Sequence, residues 1–205
     1  MEYIIQHYMN ALPSTPLELL FHIVVGLIVA SVFGSFFEFV VHKYVMHLGL
    51  PLFGKKVLFP QQQHSHAVLH HGTYYKKFDH EDDPVGKEES ILFTKEEIIA
   101  VQVGLLPAFL VIAWFSPVVA LCFSVVAFAH NNLWNIIHHE MHQPEYPSWT
   151  KWSVYRFLAR HHFLHHRHTG TNYNVVFPFA DYVLNRAAKA TPEDLIEITR
   201  LGYQA

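Results

Sequence analysis

Histidine clusters set behind long apolar runs constrain this chain more than any other feature. Of its 18 histidines, 14 fall in two windows, His42 to His71 and His138 to His168. The first window reads HKYVMH (His42 to His47) and then HSHAVLHH (His64 to His71). The second reads HHEMH (His138 to His142) and then HHFLHHRH (His161 to His168). An apolar run leads into each window. The pattern predicts two membrane-anchored halves of one histidine-built metal centre.

The runs themselves predict an all-α integral membrane protein, a single domain over 1–205. Hydrophobic residues make up 51% of the chain and charged residues 15%, against about 25% charged in an ordinary soluble domain. Leu17 to Val41 holds only Glu18, His22 and Glu38 as ionisable members, and a span needs about 20 mostly apolar residues. Thr15 as N-cap, Pro16 at the first helical position and Glu18 as the capping-box partner start this helix. It is expected to continue to His42 and to stop near Gly49 and Pro51. Thr94 to Glu97 gives a second capping box. Ile98 to Phe115 is apolar with a kink expected at Pro107, Ser116-Pro117 breaks the run, and Val118 to Ile137 leads straight into His138. Three spans follow, at about 17–41, 98–115 and 118–137, with a histidine-rich helical cap over 42–93 and 138–190.

Smaller elements are also legible. Pro60 opens a short helix ended by Gly72, and residues 73–93 read as a polar loop. Pro144 and Pro147 end the hairpin, Ser148 or Thr150 starts the next helix, and 181–186 and 192–201 read as short surface helices. Residues 1–14 support no firm assignment.

Charge placement predicts sidedness. All 14 Lys and Arg lie in 43–95 or 151–200, so the positive-inside rule puts the histidine cluster on the cytoplasmic face and the N-terminus outside. No secretory signal peptide is expected, because the first 16 residues carry no Lys or Arg. A net charge of -3 gives no global positive field for nucleic acid. The single cysteine, Cys122, excludes an internal disulfide, a cysteine-based zinc site and an iron–sulfur cluster, leaving imidazole as the main ligand.

Spacing selects which histidines can converge. Residues three or four apart share a helix face. His138 and His142 fit that rule, as do His162, His165 and His166, two of which can bind one metal with the third a neighbour. His66, His70 and His71 are slightly splayed. His42 and His47 stand about 140° apart on an ideal helix at 100° per residue, so they converge only if the helix unwinds or ends between them. These ten are too many for one metal and enough for two. Imidazole suits iron, zinc, copper and nickel alike.

His64, His139, His161 and His168 abut favoured ligands and either support them or replace them if the register shifts by one. His7, His22 and His80 read as surface or hydrogen-bonded residues. His130 lies in an apolar helix, where a histidine is costly. It serves either the site or an interhelical hydrogen bond. Ligating histidines usually donate their other N–H to a carboxylate or carbonyl. Glu38 and Asp181 are the expected partners, a helix-surface Glu and a helix-capping Asp being the alternatives.

The ordered boxes H-x4-H, H-x3-HH, H-x3-H and H-x2-HH, with a hairpin in the middle, resemble the integral-membrane fatty acid hydroxylase / sterol desaturase superfamily. HKYVMH is similar to the first box of its beta-carotene hydroxylases. Asn172 to Leu184 (NYNVVFPFADYVL) resembles the closing segment, where an aromatic-rich stretch leads to an Asp. The resemblance covers about residues 35–185. It implies a non-haem di-iron oxygenase that uses O2 and two electrons to hydroxylate or desaturate a lipid, with the ten histidines as ligands and zinc able to occupy the site on isolation. The chain departs from larger members in lacking one early span and a fused cytochrome b5 domain. A separate electron donor, ferredoxin or cytochrome b5-like, is therefore implied.

Two rival readings are a lipid desaturase and a histidine-rich membrane metal transporter or sensor. Transporters place ionisable ligands within spans, near the midplane, whereas these histidines follow the spans at one face. The extra pair His138 and His142 argues against a three-box acyl desaturase. Trp134, Trp152, Tyr155, Phe157 and Phe163 lie near the boxes as candidates to line a lipid path.

Overall fold

The computed structural model describes residues 2–52, 56–57, 59–75, 78–79, 92–143 and 148–204. The regular secondary structure of the described residues is helical apart from a two-residue antiparallel pairing, Pro51 with Val57 and Leu52 with Lys56. The chain forms two compact units, 1–34 with 93–132 and 35–92 with 133–205.

The first unit is made of apolar helices. Pro16 opens the first long one, and Glu18 N–H donates to Thr15 Oγ1 at 3.2 Å. The Glu18 carboxylate accepts from Ser14 N–H and Oγ, at 2.7 and 2.8 Å. The capping box therefore closes one residue earlier than expected. The Thr94 and Glu97 capping box forms with both its bonds. The helix it starts, Lys95–Gly104, meets Leu106–Phe115 at a 45° bend. Pro107 sits in the first turn of the second helix, and the break falls just before it rather than at it. Proline has no N–H to give the preceding turn, and its ring displaces the carbonyl four residues back. Ser116 is extended, and its Oγ accepts from Val119 N–H as Pro117–Met141 begins.

Residues 2–11, which support no firm sequence assignment, form a helix with no buried residue. His7 Nε2 hydrogen-bonds the Trp114 carbonyl at 2.7 Å, and His22 pairs with Ser116 Oγ at 3.0 Å. Both are hydrogen-bonded residues, as expected. His80, Pro144 and Pro147 lie outside the described residues, as does most of the loop 73–93.

Two helices are long and apolar enough to cross a membrane, Pro16–His47 (mean hydropathy 2.3) and Pro117–Met141 (1.4). The bent pair makes a third if it is one span. Within the first unit these two helices approach closely at Gly26, where an added Cβ would stand 2.7 Å from Cys122 Cβ and 3.2 Å from Val119 Cα. Small residues let apolar helices approach in this way. Gly26→Val should therefore destabilise the protein by about 1–3 kcal/mol, read as a lower unfolding midpoint in detergent. An unchanged midpoint would show that the contact is not tight.

The second unit carries the histidine windows. As expected, the first long helix continues past His42 and ends near Gly49. It widens into a π turn over Val41–His47, and Gly49 and Leu50 then end it with φ of 64° and 49°. The short helix from Pro60 contains a second π turn, His64–His70, and runs through Gly72 to Tyr74. Gly72 does not end it. A 3-10 turn, Ser148–Lys151, precedes the helix Ser153–Arg167. Neither Ser148 nor Thr150 is its cap; Trp152 holds that position. The two short helices after it, Phe179–Val183 and Pro192–Arg200, lie close to their expected places, the second with a Thr191–Asp194 capping box. Phe39, Tyr173 and Ala180 pack together with Phe36 against them.

Candidate metal centre

All ten favoured histidines fall in the second unit and gather into two groups. His42, His47, His66, His71 and His165 form one, and His70, His138, His142, His162 and His166 form the other. In each group one ring nitrogen per residue lies within 4.8 Å of all the others, and either group could hold a metal ion.

The π turns explain how the awkward spacings close. In a π turn the hydrogen bond runs from residue i+5 to residue i, and such turns concentrate at functional sites. Leu48 N–H donates to Lys43 O in the first turn. The widened turn is a local unwinding of the helix, and it brings His42 and His47 onto one side. In the second turn His71 N–H donates to His66 O. His66 and His71 thus join one group while His70 faces the other. The splay expected of this box is a division of labour. The helix Ser153–Arg167 divides likewise: His162 and His166, four apart, enter one group and His165 the other. The groups are neighbours, with the rings of His71 and His166 stacked at 4.3 Å.

Hydrogen bonds orient the rings. Nδ1 of His42 bonds the Tyr173 carbonyl, Nδ1 of His165 the Thr171 carbonyl at 2.6 Å, and Nδ1 of His142 the Phe78 carbonyl at 2.7 Å. A carbonyl only accepts, so each Nδ1 carries the proton and each Nε2 presents a lone pair to its group. The Nε2 atoms then crowd. His42 and His66 are 2.8 Å apart, His47 and His165 3.0 Å, and His162 stands 3.3 Å from His142 and 3.1 Å from His166. A neutral His162 can donate one proton from Nε2, not one to each neighbour. A cation between these nitrogens would satisfy all of their lone pairs at once. With metal–nitrogen bonds of about 2.0–2.1 Å, neighbouring ligands of one shell stand about 3.0–3.4 Å apart. Three of the four spacings fall in that range, and the His42–His66 pair, at 2.8 Å, is tighter. A cation would serve His71 too, since both its ring nitrogens are buried without a hydrogen-bond partner.

Burial keeps the donors in the form that binds metal. His66, His70, His71, His142, His162, His165 and His166 are pushed well below the ordinary imidazole range, first by burial and then mainly by the neighbouring imidazoles. The sign follows from proton counting. In the unfolded chain these residues take up protons below about pH 6.5, whereas folded they do not. The metal-free protein should therefore lose stability as pH falls through about 6.5 and below. Thermal midpoints from pH 8 to pH 5 test this, and a flat profile would contradict it.

Glu38 and Asp181 are both buried, and they grip backbone. Asp181 accepts from Tyr173 N–H at 3.0 Å and Asn174 N–H at 2.7 Å; Glu38 accepts from Val175 and Val176 N–H and from Asn174 Nδ2. They hold the segment whose carbonyls meet His42 and His165. Asp181 also pairs with His161 Nε2 at 3.0 Å, and Asn172 Nδ2 sits 3.0 Å from its Nδ1. His161 therefore stands beside the ligand groups and joins neither. His168 pairs with Asp194 at 2.9 Å, His64 is exposed, and His139 is half-buried. His130 lies in the first unit, where its Nδ1 would stand 3.1 Å from a Cβ added at Gly34.

Sequence reasoning missed the carbonyls of Thr171, Tyr173 and Phe78, because a backbone acceptor has no residue signature. It also missed Asn172 and Ser35. Asn172 takes a left-handed φ of 54°, which asparagine tolerates. Ser35 Oγ donates to Phe177 O and accepts from Ala180 N–H. Of the aromatic candidates, Trp134 is buried with its ring 4.3 Å from His138. Tyr155 and Phe163 are buried, whereas Trp152 and Phe157 are exposed.

No protein-family model matches the sequence, and neither a curated protein nor a solved structure matches it.

Proposed function

We propose that the protein is a membrane-bound non-haem di-iron oxygenase that hydroxylates a lipid C–H bond. The observation that carries the reading is the pair of adjacent five-histidine groups, each taking ligands from the C-terminal end of a long apolar helix. His42, His47, His66, His71 and His165 would hold one iron, and His70, His138, His142, His162 and His166 the other. Bound iron supplies O2 reduction and the power to take hydrogen from an unactivated C–H bond.

The chain's own part is to hold neutral imidazoles in place, to bury the reacting centre away from water and to position the lipid. The proposed balance is R–H with O2, two electrons and two protons giving R–OH and water. The electrons come from a separate ferredoxin or cytochrome b5-like donor. The substrate, fatty acyl, sterol or carotenoid-like, enters from the bilayer, and the histidine cluster faces the cytoplasm. The ordered boxes and the segment NYNVVFPFADYVL support membership of the fatty acid hydroxylase / sterol desaturase superfamily.

The test uses the iron-loaded protein in nanodiscs with a reduced donor, a lipid panel and 18O2. A product carrying one 18O atom is expected. A product two hydrogens poorer and without label would replace hydroxylation by desaturation. Metal flux into proteoliposomes with no O2-dependent product would replace the enzyme by a transporter.

A further inference from the structure

The Asp181 carboxylate and the His42 ring meet opposite ends of one peptide group. Asn174 N–H donates to Asp181 Oδ2 at 2.7 Å, and the Tyr173 carbonyl, in the same amide plane, accepts from His42 Nδ1. Amide resonance couples the two ends. A carboxylate drawing on the N–H leaves more negative charge on the carbonyl oxygen, and chained hydrogen bonds polarise one another in this sense. The usual carboxylate partner of a ligating histidine is therefore present at one remove. We propose that Asp181 is a positioning residue for the first histidine group, acting on His42 through the Tyr173–Asn174 peptide; this rests on the metal-centre reading above.

The effect is selective. Thr171 O, which meets His165, belongs to a peptide whose N–H, that of Asn172, donates to the neutral Arg186 carbonyl at 2.8 Å. In the second group, His142 meets Phe78 O on a different segment. Of the His42 and His165 relays, only that of His42 ends on a carboxylate. Ser35 Oγ steadies the same stretch at Phe177 and Ala180, and the bond from Asn174 Nδ2 to Ser35 O is to backbone and survives Ser35→Ala.

Two measurements test the relay. The sequence contains a single Tyr-Asn pair, Tyr173–Asn174. Protein carrying 13C-carbonyl tyrosine and 15N asparagine thus gives one HNCO peak, from this peptide alone. In the wild type the amide should be shifted downfield and exchange slowly, and the peak should move when zinc fills the sites. In His165→Ala, where the first group is incomplete, zinc should leave it in place. Rapid exchange, or no movement in wild-type protein holding two zinc ions, would overturn the relay.

The second measurement is zinc affinity by chelator competition. Asp181→Asn should weaken one of the two sites by about 10–100-fold, as loss of a ligand's orienting partner does, and leave the other unchanged. Ser35→Ala should change neither by more than about threefold. Equal losses from both variants would mean that Asp181 merely steadies the segment. If Asp181→Asn does not fold, the wild-type HNCO result decides. Wild-type protein that binds no zinc overturns the metal-centre reading itself, whereas two zinc ions with Asp181→Asn unaffected overturns this inference alone.

Discussion

His165→Ala and His138→Ala should each remove one metal and leave the other. His165 belongs to the first group and His138 to the second, and both are fully buried. Each substitution leaves four imidazoles in its own group and five in its neighbour. Metal content should fall from about two per chain towards one, and O2-dependent lipid oxidation should drop by well over 100-fold, beyond the 10–100-fold typical of an orienting partner's loss. Because the two variants empty different groups, mixing the purified proteins should not restore activity. Full activity in either variant would remove that residue from the ligand set. Loss of both metals in both variants would mean that the groups do not fill independently.

Chelation should destabilise the second unit without unfolding it, and spare the first. Nine of the ten imidazoles are buried outright, and their lone pairs face one another once no cation stands between them. A buried polar group left unsatisfied costs about 1–3 kcal/mol, and several would be exposed to that cost together. Metal release should thus take a few kcal/mol from the unit's stability, against the roughly 5–15 kcal/mol usual for a native domain. Hydrogen exchange before and after chelation reads this directly. Protection should fall at 61–74 and 153–167 and stay unchanged at 18–32 and 118–130. Uniform protection with the metal removed would show that packing alone holds the histidine groups.

Much of this arrangement is legible in the sequence. The apolar runs, the capping residues Thr15 and Thr94 and the break at Ser116-Pro117 follow from local chemistry, and the structure places helices where they predict. The ten histidines could be picked out because their spacings repeat a helical face, and they gather where a metal would sit. The geometry of the first window was not legible. HKYVMH has no α-helical reading that joins His42 to His47, and a π turn has no residue signature of its own. The division of His66, His70 and His71 was hidden for the same reason. Glu38 and Asp181 are expected from the sequence as partners of ligating histidines, but they accept instead from N–H groups of 173–176, which have no residue signature.

The most direct measurement is metal content per chain in anaerobically purified, detergent-solubilised protein, with a Mössbauer spectrum of the iron. Two irons per chain in a coupled pair are expected, one for each histidine group. Two zinc ions would support the geometry and call for anaerobic reloading with iron before the spectrum is read. No metal, or a single loosely held ion, would contradict a dinuclear centre.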